Sequence, residues 1–576
     1  MDLSNKKLSF QICCCLAAAA ILILAVLSLS AANKEPSLTI QIAQFPHFLD
    51  PARISTYEEK LVCGALYETL LSYNPADGSV QGVLADQWEV DGSGKVYTFV
   101  LRKGLRFHHG KELTAQDVKY SWERLLDPEI SSYGYLLQNV QGAKEYAAGK
   151  SSDVKGLRVI NERTLQVNLL ETDYTFPALV SSPVLAVVSR DTADKMGKDY
   201  GKRTTPVVGT GPFSLSHWGS DQITLVKNNK YKGTPARLKG LQFIVTGNQQ
   251  EIKQLLTDSK IDILTGVSPQ FATTICEEGK GRFIAVKKPV LSFYFLGFNL
   301  EAAPFGQNVE LRRAVDQALD NEKLALSLLG DGSKPLNGLL PPELLRKKEI
   351  KAKYTDRKTA LRCLAASGHP FGSRLSPLTL VYNNSSGHEM LARLVQEELG
   401  QVGIVLALQQ RPWDEYKKEL AKGRYPFFRL GWEADYPEAG NILYYNFAAG
   451  EEHNFTRYSS AEFDSLMKKA RCEWNFQQRQ EIYRQAEELL LNDLPVVPLF
   501  QRVAVFVLTD DVEGFNADLL GMIGFKRLDK NNDKEGMLFT KKSGNDEKCQ
   551  CKNKMTGQEY YSGCRNFSSC DVFAAL

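Results

Sequence analysis

The stretch Val96-Tyr-Thr-Phe-Val-Leu-Arg-Lys-Gly-Leu-Arg-Phe-His-His-Gly-Lys-Glu-Leu-Thr-Ala-Gln-Asp-Val-Lys-Tyr-Ser-Trp-Glu-Arg-Leu-Leu-Asp-Pro128 holds a strand, a polar loop and a helix in immediate succession. Val96–Leu101 is rich in β-branched and aromatic residues, and Asp91-Gly92-Ser93-Gly94 supplies a turn before it, which predicts a strand entered from a tight reversal. Thr114 and Asp117 have capping-box spacing and open a helix to Leu126, where Asp127-Pro128 stops it. Outward from this unit both periods recur. Leu38, Ile40 and Ile42 alternate with polar residues, and Thr164–Leu169, Gln222–Lys227 and Leu241–Val245 predict further strands. Tyr57–Leu71, Val309–Leu329, Glu389–Leu399, Trp413–Ala421, Ser459–Arg471 and Phe476–Leu491 predict helices. Ile404–Leu408, Phe427–Leu430, Val496–Leu499 and Val503–Val507 return to strand. The fold class is α/β, with no repeat of solenoid period.

The chain has 576 residues, 43% hydrophobic and 24% charged, with 70 Lys+Arg against 67 Asp+Glu. That length suggests three or four structural units. Without a strongly basic face, nucleic acid is not an expected partner. Residues 1–32 stand apart: Lys6 and Lys7 precede the charge-free apolar run Ile12–Leu29, and Ser30-Ala31-Ala32 follows. This is the layout of an export signal, either cleaved before Asn33 or kept as an anchor. Cys13, Cys14 and Cys15 fall inside it. Cys63, Cys276, Cys363 and Cys472 are isolated and read as small apolar residues. Cys549, Cys551, Cys564 and Cys570 crowd the tail after Lys541. Two disulfides, a metal site or a weakly structured tail all fit that group, although its spacing matches no common zinc finger.

Catalytic signatures are missing. No H-E-x-x-H, G-x-S-x-G or G-x-x-x-x-G-K-[ST] occurs, and Gly209-Thr-Gly-Pro212 lacks the third glycine of a dinucleotide loop. His108-His109 stands before Gly110 in a turn and reads as structural. The richest segment is Trp413–Tyr445, where Trp413, Trp432, Arg424, Arg429 and Asp435 lie among tyrosines, broken by Gly431, Pro437 and Gly440. It reads either as an aromatic core strand or as the wall of a polar-lined cleft. In an extended run Arg429 and Asp435 would point to one side, about 20 Å apart at ~3.3 Å per residue. Opposite charges so separated suit a ligand charged at both ends, such as a short peptide.

The chain resembles the family 5 extracytoplasmic solute-binding proteins of ABC importers. The resemblance rests on Tyr97–Val118, Leu84-Ala-Asp-Gln-Trp88 and Leu49-Asp-Pro51. It rests further on Gly209-Thr-Gly-Pro-Phe213 with Asn228–Tyr231, Phe298-Asn299 with Pro304-Phe305 and Leu311–Asp320, and Gly431-Trp-Glu-Ala-Asp-Tyr-Pro437. These occur in family order over about residues 38 to 530. The resemblance implies a periplasmic-binding-protein-like fold, two hinged α/β lobes plus a third, smaller lobe. Residues 33–57, 183–287 and 500–540 would build lobe I, 58–182 the small lobe II and 288–499 the ligand-capturing lobe III, between the 1–32 leader and the 541–576 tail. It implies a monomeric, non-enzymatic receptor without cofactor or metal. That receptor would work outside the cytoplasm, capture short peptides and hand them to an ABC permease and ATPase, meeting the membrane only through the transporter or its N-terminal segment. Other cargo (a metal chelate, haem or a sugar) and a sensor or adhesin role are the alternatives.

By the same resemblance Asp435 holds the ligand's α-amino group and Arg429 meets the carboxylate of a tripeptide. Main-chain groups of Gly431 and Glu433 pair with the ligand backbone, and Trp432 and Trp413 line pockets. Several positions depart from the family pattern. Glu433 replaces a Cys that is disulfide-bonded in some relatives, His109 stands for an Asp, and Ala439 for a second Pro. Leu420 stands where certain relatives carry a second Arg, and Pro46 cannot donate from the N-terminal segment.

Overall fold

The structure, a computed structural model, describes residues 37–329, 333–344 and 356–531. The expected leader and cysteine-rich tail lie outside the described residues. Within them no helix is long and apolar enough to cross a membrane.

The opening stretch folds as its pattern dictates. Val96–Leu101 buries Tyr97, Phe99 and Leu101 on one face, and the Asp117 carboxylate takes both the amide (2.9 Å) and the hydroxyl (2.8 Å) of Thr114 to start the helix Ala115–Leu126. The strand lies in a four-stranded antiparallel sheet ordered 85–90, 96–101, 164–168, 157–161. Trp122 from the helix is fully buried and meets Phe99 edge-on at 6.4 Å. From the same helix, Arg124 forms a two-pronged ion pair with Asp50 at 3.0 and 2.7 Å, both groups buried.

A 12-stranded mixed sheet organises the rest. From one edge it runs 406–411, 378–383, 427–433, 292–298, 496–509, 263–264, 37–42, 240–245, 222–227 and 213–218, while 283–289 and 333–335 also pair with 496–509. The sequence pattern predicts two strands, Val496–Leu499 and Val503–Val507; the structure shows one, Val496–Thr509. Its first half pairs with 292–298 (Gly297 opposite Val496, Tyr294 opposite Phe500) and its second half with 283–289 (Pro289 opposite Val503, Phe283 opposite Thr509). The polar Gln501 and Arg502 that interrupt the apolar pattern mark the crossover. There the Val290 amide donates to the Arg502 carbonyl (3.0 Å), the Arg502 amide to the Ser292 hydroxyl (3.1 Å), and the Gln501 side chain to the Val290 carbonyl (3.0 Å).

Three further expectations are corrected. The helix from Tyr57 ends at Leu66, because Leu71–Asn74 is a strand. Val309–Leu329 is two helices, Val309–Ala318 and Asn321–Leu329. They part at Leu319, which is extended, and Asp320 caps the second by accepting from the Lys323 amide at 3.0 Å. The Phe427 strand runs on to Glu433. Of the isolated cysteines Cys63 is buried, Cys276 and Cys363 are half-buried and Cys472 is exposed, all with free thiols.

Removing one partner of a buried ion pair strands the other charge, at a cost of about 3–5 kcal/mol. Arg124→Ala should therefore destabilise the protein by that order in a denaturant titration, and Arg124→Lys, which loses the two-pronged geometry, should recover only part of it.

Candidate cleft around Asp435

Strand 427–433 pairs along its whole length with 292–298 on one edge. On the other edge the parallel strand 378–383 meets it only at Val381 and Phe428. From Leu430 to Glu433, therefore, no strand among the described residues takes up the second edge. Gly431 sits directly on the Tyr294 ring, where a Cβ would come within 2.6 Å of the aromatic carbons. Any larger residue would push the strand off its neighbour.

Asp435 lies past the strand end, so the same-side argument from an extended run holds for Arg429, Gly431 and Glu433 and stops there. Its position is set by Asn441 in the following helix, Ala439–Phe447. The Asn441 side-chain oxygen accepts from the Asp435 amide (3.0 Å) and from the Trp432 indole N–H (3.0 Å), while its amide donates to Asp435 Oδ2 (3.2 Å). The Tyr135 hydroxyl donates to the same oxygen at 2.5 Å, and Ser182 donates to the Asp435 carbonyl at 2.6 Å. Burial pushes the Asp435 carboxyl above its usual range, against the opposing pull of the Tyr135 and Asn441 donors. The Tyr135 ring packs edge-on against Trp432 (6.3 Å), Tyr445 (4.9 Å) and His453 (4.6 Å). His453 is held neutral, its pKa lowered by burial to about 4.

Arg429 is buried, with its guanidinium 4.9 Å from the Tyr294 ring centroid. Its Nε and Nη2 have no hydrogen-bond partner, and burial lowers its pKa to about 10. His388, in the first turn of the helix Ser386–Gly400, is also buried with both ring nitrogens unpartnered. Burial, and after it the Arg429 charge, lower its pKa to about 3. The Ser385 hydroxyl and the Asn383 side-chain oxygen nearby lack partners too. The unsatisfied Arg429 cation, the Ser385 hydroxyl and the single N–H of neutral His388 favour an anion, while the Asn383 oxygen, an acceptor, does not.

Glu433 pairs with Arg502 of the crossover strand at 2.8 Å. Burial raises the Glu433 carboxyl, but the Arg502 and Lys60 charges outweigh it and hold the group below the usual range. Trp413 is 45% exposed, with its ring against Tyr416 and under Lys417. It reaches the group only at second hand, through the Tyr416 hydroxyl that donates to the Arg429 carbonyl at 2.6 Å. Among the described residues no group of three His, Cys, Asp or Glu could hold a metal ion.

Contacts between segments far apart in sequence surround the site. Arg471 reaches Asp173 through Nε (3.1 Å) and Nη2 (2.8 Å), the Tyr174 amide donates to the Arg471 carbonyl (2.8 Å), and Tyr73 donates to Glu438 (2.9 Å). Sequence reasoning missed Tyr135, His388, Asn441 and Arg502. Asn441 could have been found as the polar residue facing an apolar helical turn, and Arg502 as the charge inside an apolar run. Tyr135 lies 300 positions from Asp435 and carries no local signal.

The family model for bacterial extracellular solute-binding proteins, family 5 middle, matches residues 79–454. The chain is 27% identical over 502 residues to the oligopeptide-binding protein OppA of Bacillus subtilis, covering 85% of this chain and 92% of that one. It is also 27% identical over 500 residues to heme-binding protein A of Haemophilus influenzae, covering 80% and 86%. The crystal structure of a periplasmic oligopeptide-binding protein (OppAIV) of Borrelia burgdorferi superposes with a TM-score of 0.69 at 26% identity, over 86% of this chain and all of that one. With a family match over most of its length and the mixed sheet described above, the chain belongs to family 5 of the bacterial extracellular solute-binding proteins.

Proposed function

We propose that this protein is a receptor that captures short peptides outside the cytoplasm and delivers them to an ABC importer, without cleaving them. The carrying observation is the unpaired strand edge at 430–433, which ends beside the Asp435 carboxylate. A peptide laid along that edge extends the sheet, so its N–H and C=O groups are satisfied whatever its side chains. Asp435, bonded to a hydroxyl and an amide, takes the α-ammonium. Arg429, with the N–H groups of Nε and Nη2 free and His388 beside it, takes a carboxylate. Gly431 and Glu433 supply main-chain groups, Trp432 lines the first pocket, and Trp413 lines the outer rim. Equal identity to an oligopeptide binder and a haem binder means that relatedness alone does not choose the cargo. The charged anchors are what support a peptide.

Lobes with the boundaries expected from the sequence close on the ligand about the two crossover segments, 289–292 and 500–503. The Asp173–Arg471 and Tyr73–Glu438 contacts lock the closed form, so ligand binding is a shift toward it. Residues 1–32 direct export, and the receptor meets its permease and ATPase as a monomer.

Titration calorimetry of ligand-stripped protein with trialanine should give a complex that Asp435→Ala weakens by about 30-fold or more, the cost of removing one partner of a buried charge pair. Unchanged affinity in a folded variant would remove Asp435 as the amine anchor. Because Asp435 must be ionised to hold an ammonium and its carboxyl is raised in the empty receptor, affinity should be full at neutral pH. It should fall by up to about tenfold per pH unit once the pH drops through that raised value. Asp435→Asn should flatten this acid limb. Arg429→Ala should weaken one peptide length far more than its neighbours across a dipeptide-to-pentapeptide series; equal losses throughout would argue against a carboxylate contact.

A further inference from the structure

We infer that Lys60 sets the charge preference for the ligand's first side chain, favouring acidic over basic first residues. The inference rests on Asp435 as the amine anchor. Lys60 belongs to the helix Tyr57–Leu66, which is fixed at its start by the reciprocal Thr56–Glu59 box. On one face of that helix the Tyr57 hydroxyl donates to the Gly521 carbonyl at 3.0 Å, and Gly64 lies so close to Met522 that a Cβ would sit 2.4 Å from its methyl. Lys60 is one turn from each, on the same face, and so looks onto the turn 518–522. That turn reaches the cleft in two steps: the Leu291 amide donates to the Leu519 carbonyl and the Ala434 amide to the Leu291 carbonyl, both at 2.8 Å.

Three carboxylates, Glu433, Asp435 and Asp518, feel the Lys60 charge. Each has other work. Glu433 is paired with Arg502 at 2.8 Å, and Asp518 accepts the Leu520 and Met522 amides at 2.9 Å each. Asp435 is the group the ligand ammonium would neutralise. Glu58, from the same helix, accepts from the Gln44 side chain at 3.1 Å. Once ligand is bound, the half-buried Lys60 ammonium faces this neighbourhood with no ion pair to another of the described residues. The first side chain springs from the very carbon that bears the ammonium, so it is the part of the peptide confined to this neighbourhood. There a carboxylate gains an attraction and a second ammonium meets a repulsion, in a setting screened less than bulk water.

The test compares Asp-Ala-Ala, Ala-Ala-Ala and Lys-Ala-Ala by calorimetry on the whole protein. The native receptor should bind Asp-Ala-Ala over Lys-Ala-Ala by about tenfold. Lys60→Met should bring that ratio close to one, and Lys60→Arg, which keeps the charge, should retain it. A ratio near one in the native protein, or the same ratio in Lys60→Met, overturns the inference while leaving the peptide receptor standing. Binding of none of the three peptides overturns the receptor reading itself.

Discussion

Backbone pairing along Val496–Thr509 is the constraint on which the rest of the molecule depends. One strand serves two sheet halves, giving its first residues to 292–298 and its last to 283–289 and 263–264. Because strand pairing admits only registers that keep the apolar face inward, this strand dictates how the two halves lie relative to one another. It also explains the composition at the crossover. Gln501 and Arg502 are there because the chain passes from one core to another, where the apolar faces on either side no longer coincide. Their side chains bind the adjacent chain (Gln501) and the cleft wall (Arg502).

The cleft is built from groups that the fold leaves unfinished. An unpaired strand edge, a guanidinium with two idle nitrogens and a histidine whose ring makes no hydrogen bond each cost stability in an interior where nearly every polar group is satisfied. A domain selected for stability alone would fill them with apolar residues or pair them off. On the proposed function, their clustering is an ordered arrangement that a charged, strand-forming molecule would meet with little rearrangement.

Much of this was legible from local pattern. The strand Val96–Leu101, the strand Gln222–Lys227 and the helix Trp413–Ala421 have the bounds that periodicity predicts, because each carries its own turn or cap. Where a boundary is set by distant partners, pattern failed. The break at Leu319 is held by Asp320 and by Asn321, whose side chain reaches the Leu336 and Pro498 carbonyls; an unbroken apolar stripe conceals both. The Gly431–Pro437 motif located Asp435. Its support by Tyr135 and Asn441, and the Glu433–Arg502 pair, depend on tertiary proximity that no window of sequence contains.

The N-terminal strand Ser37–Ile42 has consequences for how the molecule is made. Its partners are Gly240–Val245 and Ile263–Leu264, and the latter is completed only by Leu508 and Val507 near the end of the described chain. A polypeptide delivered N-terminus first therefore presents an apolar strand some two hundred residues before the first partner exists, and the sheet closes only when the last strand arrives. Such non-local topology folds slowly and leaves a strand edge open to wrong partners meanwhile. The antiparallel sheet of 85–168 draws all its strands from that one stretch, its longest-range pairing joining 96–101 to 164–168, so it is complete in sequence long before the large sheet is. The helix Ala115–Leu126 packed on it carries Arg124, whose pair with Asp50 ties the segment after the N-terminal strand to this sheet in the finished protein.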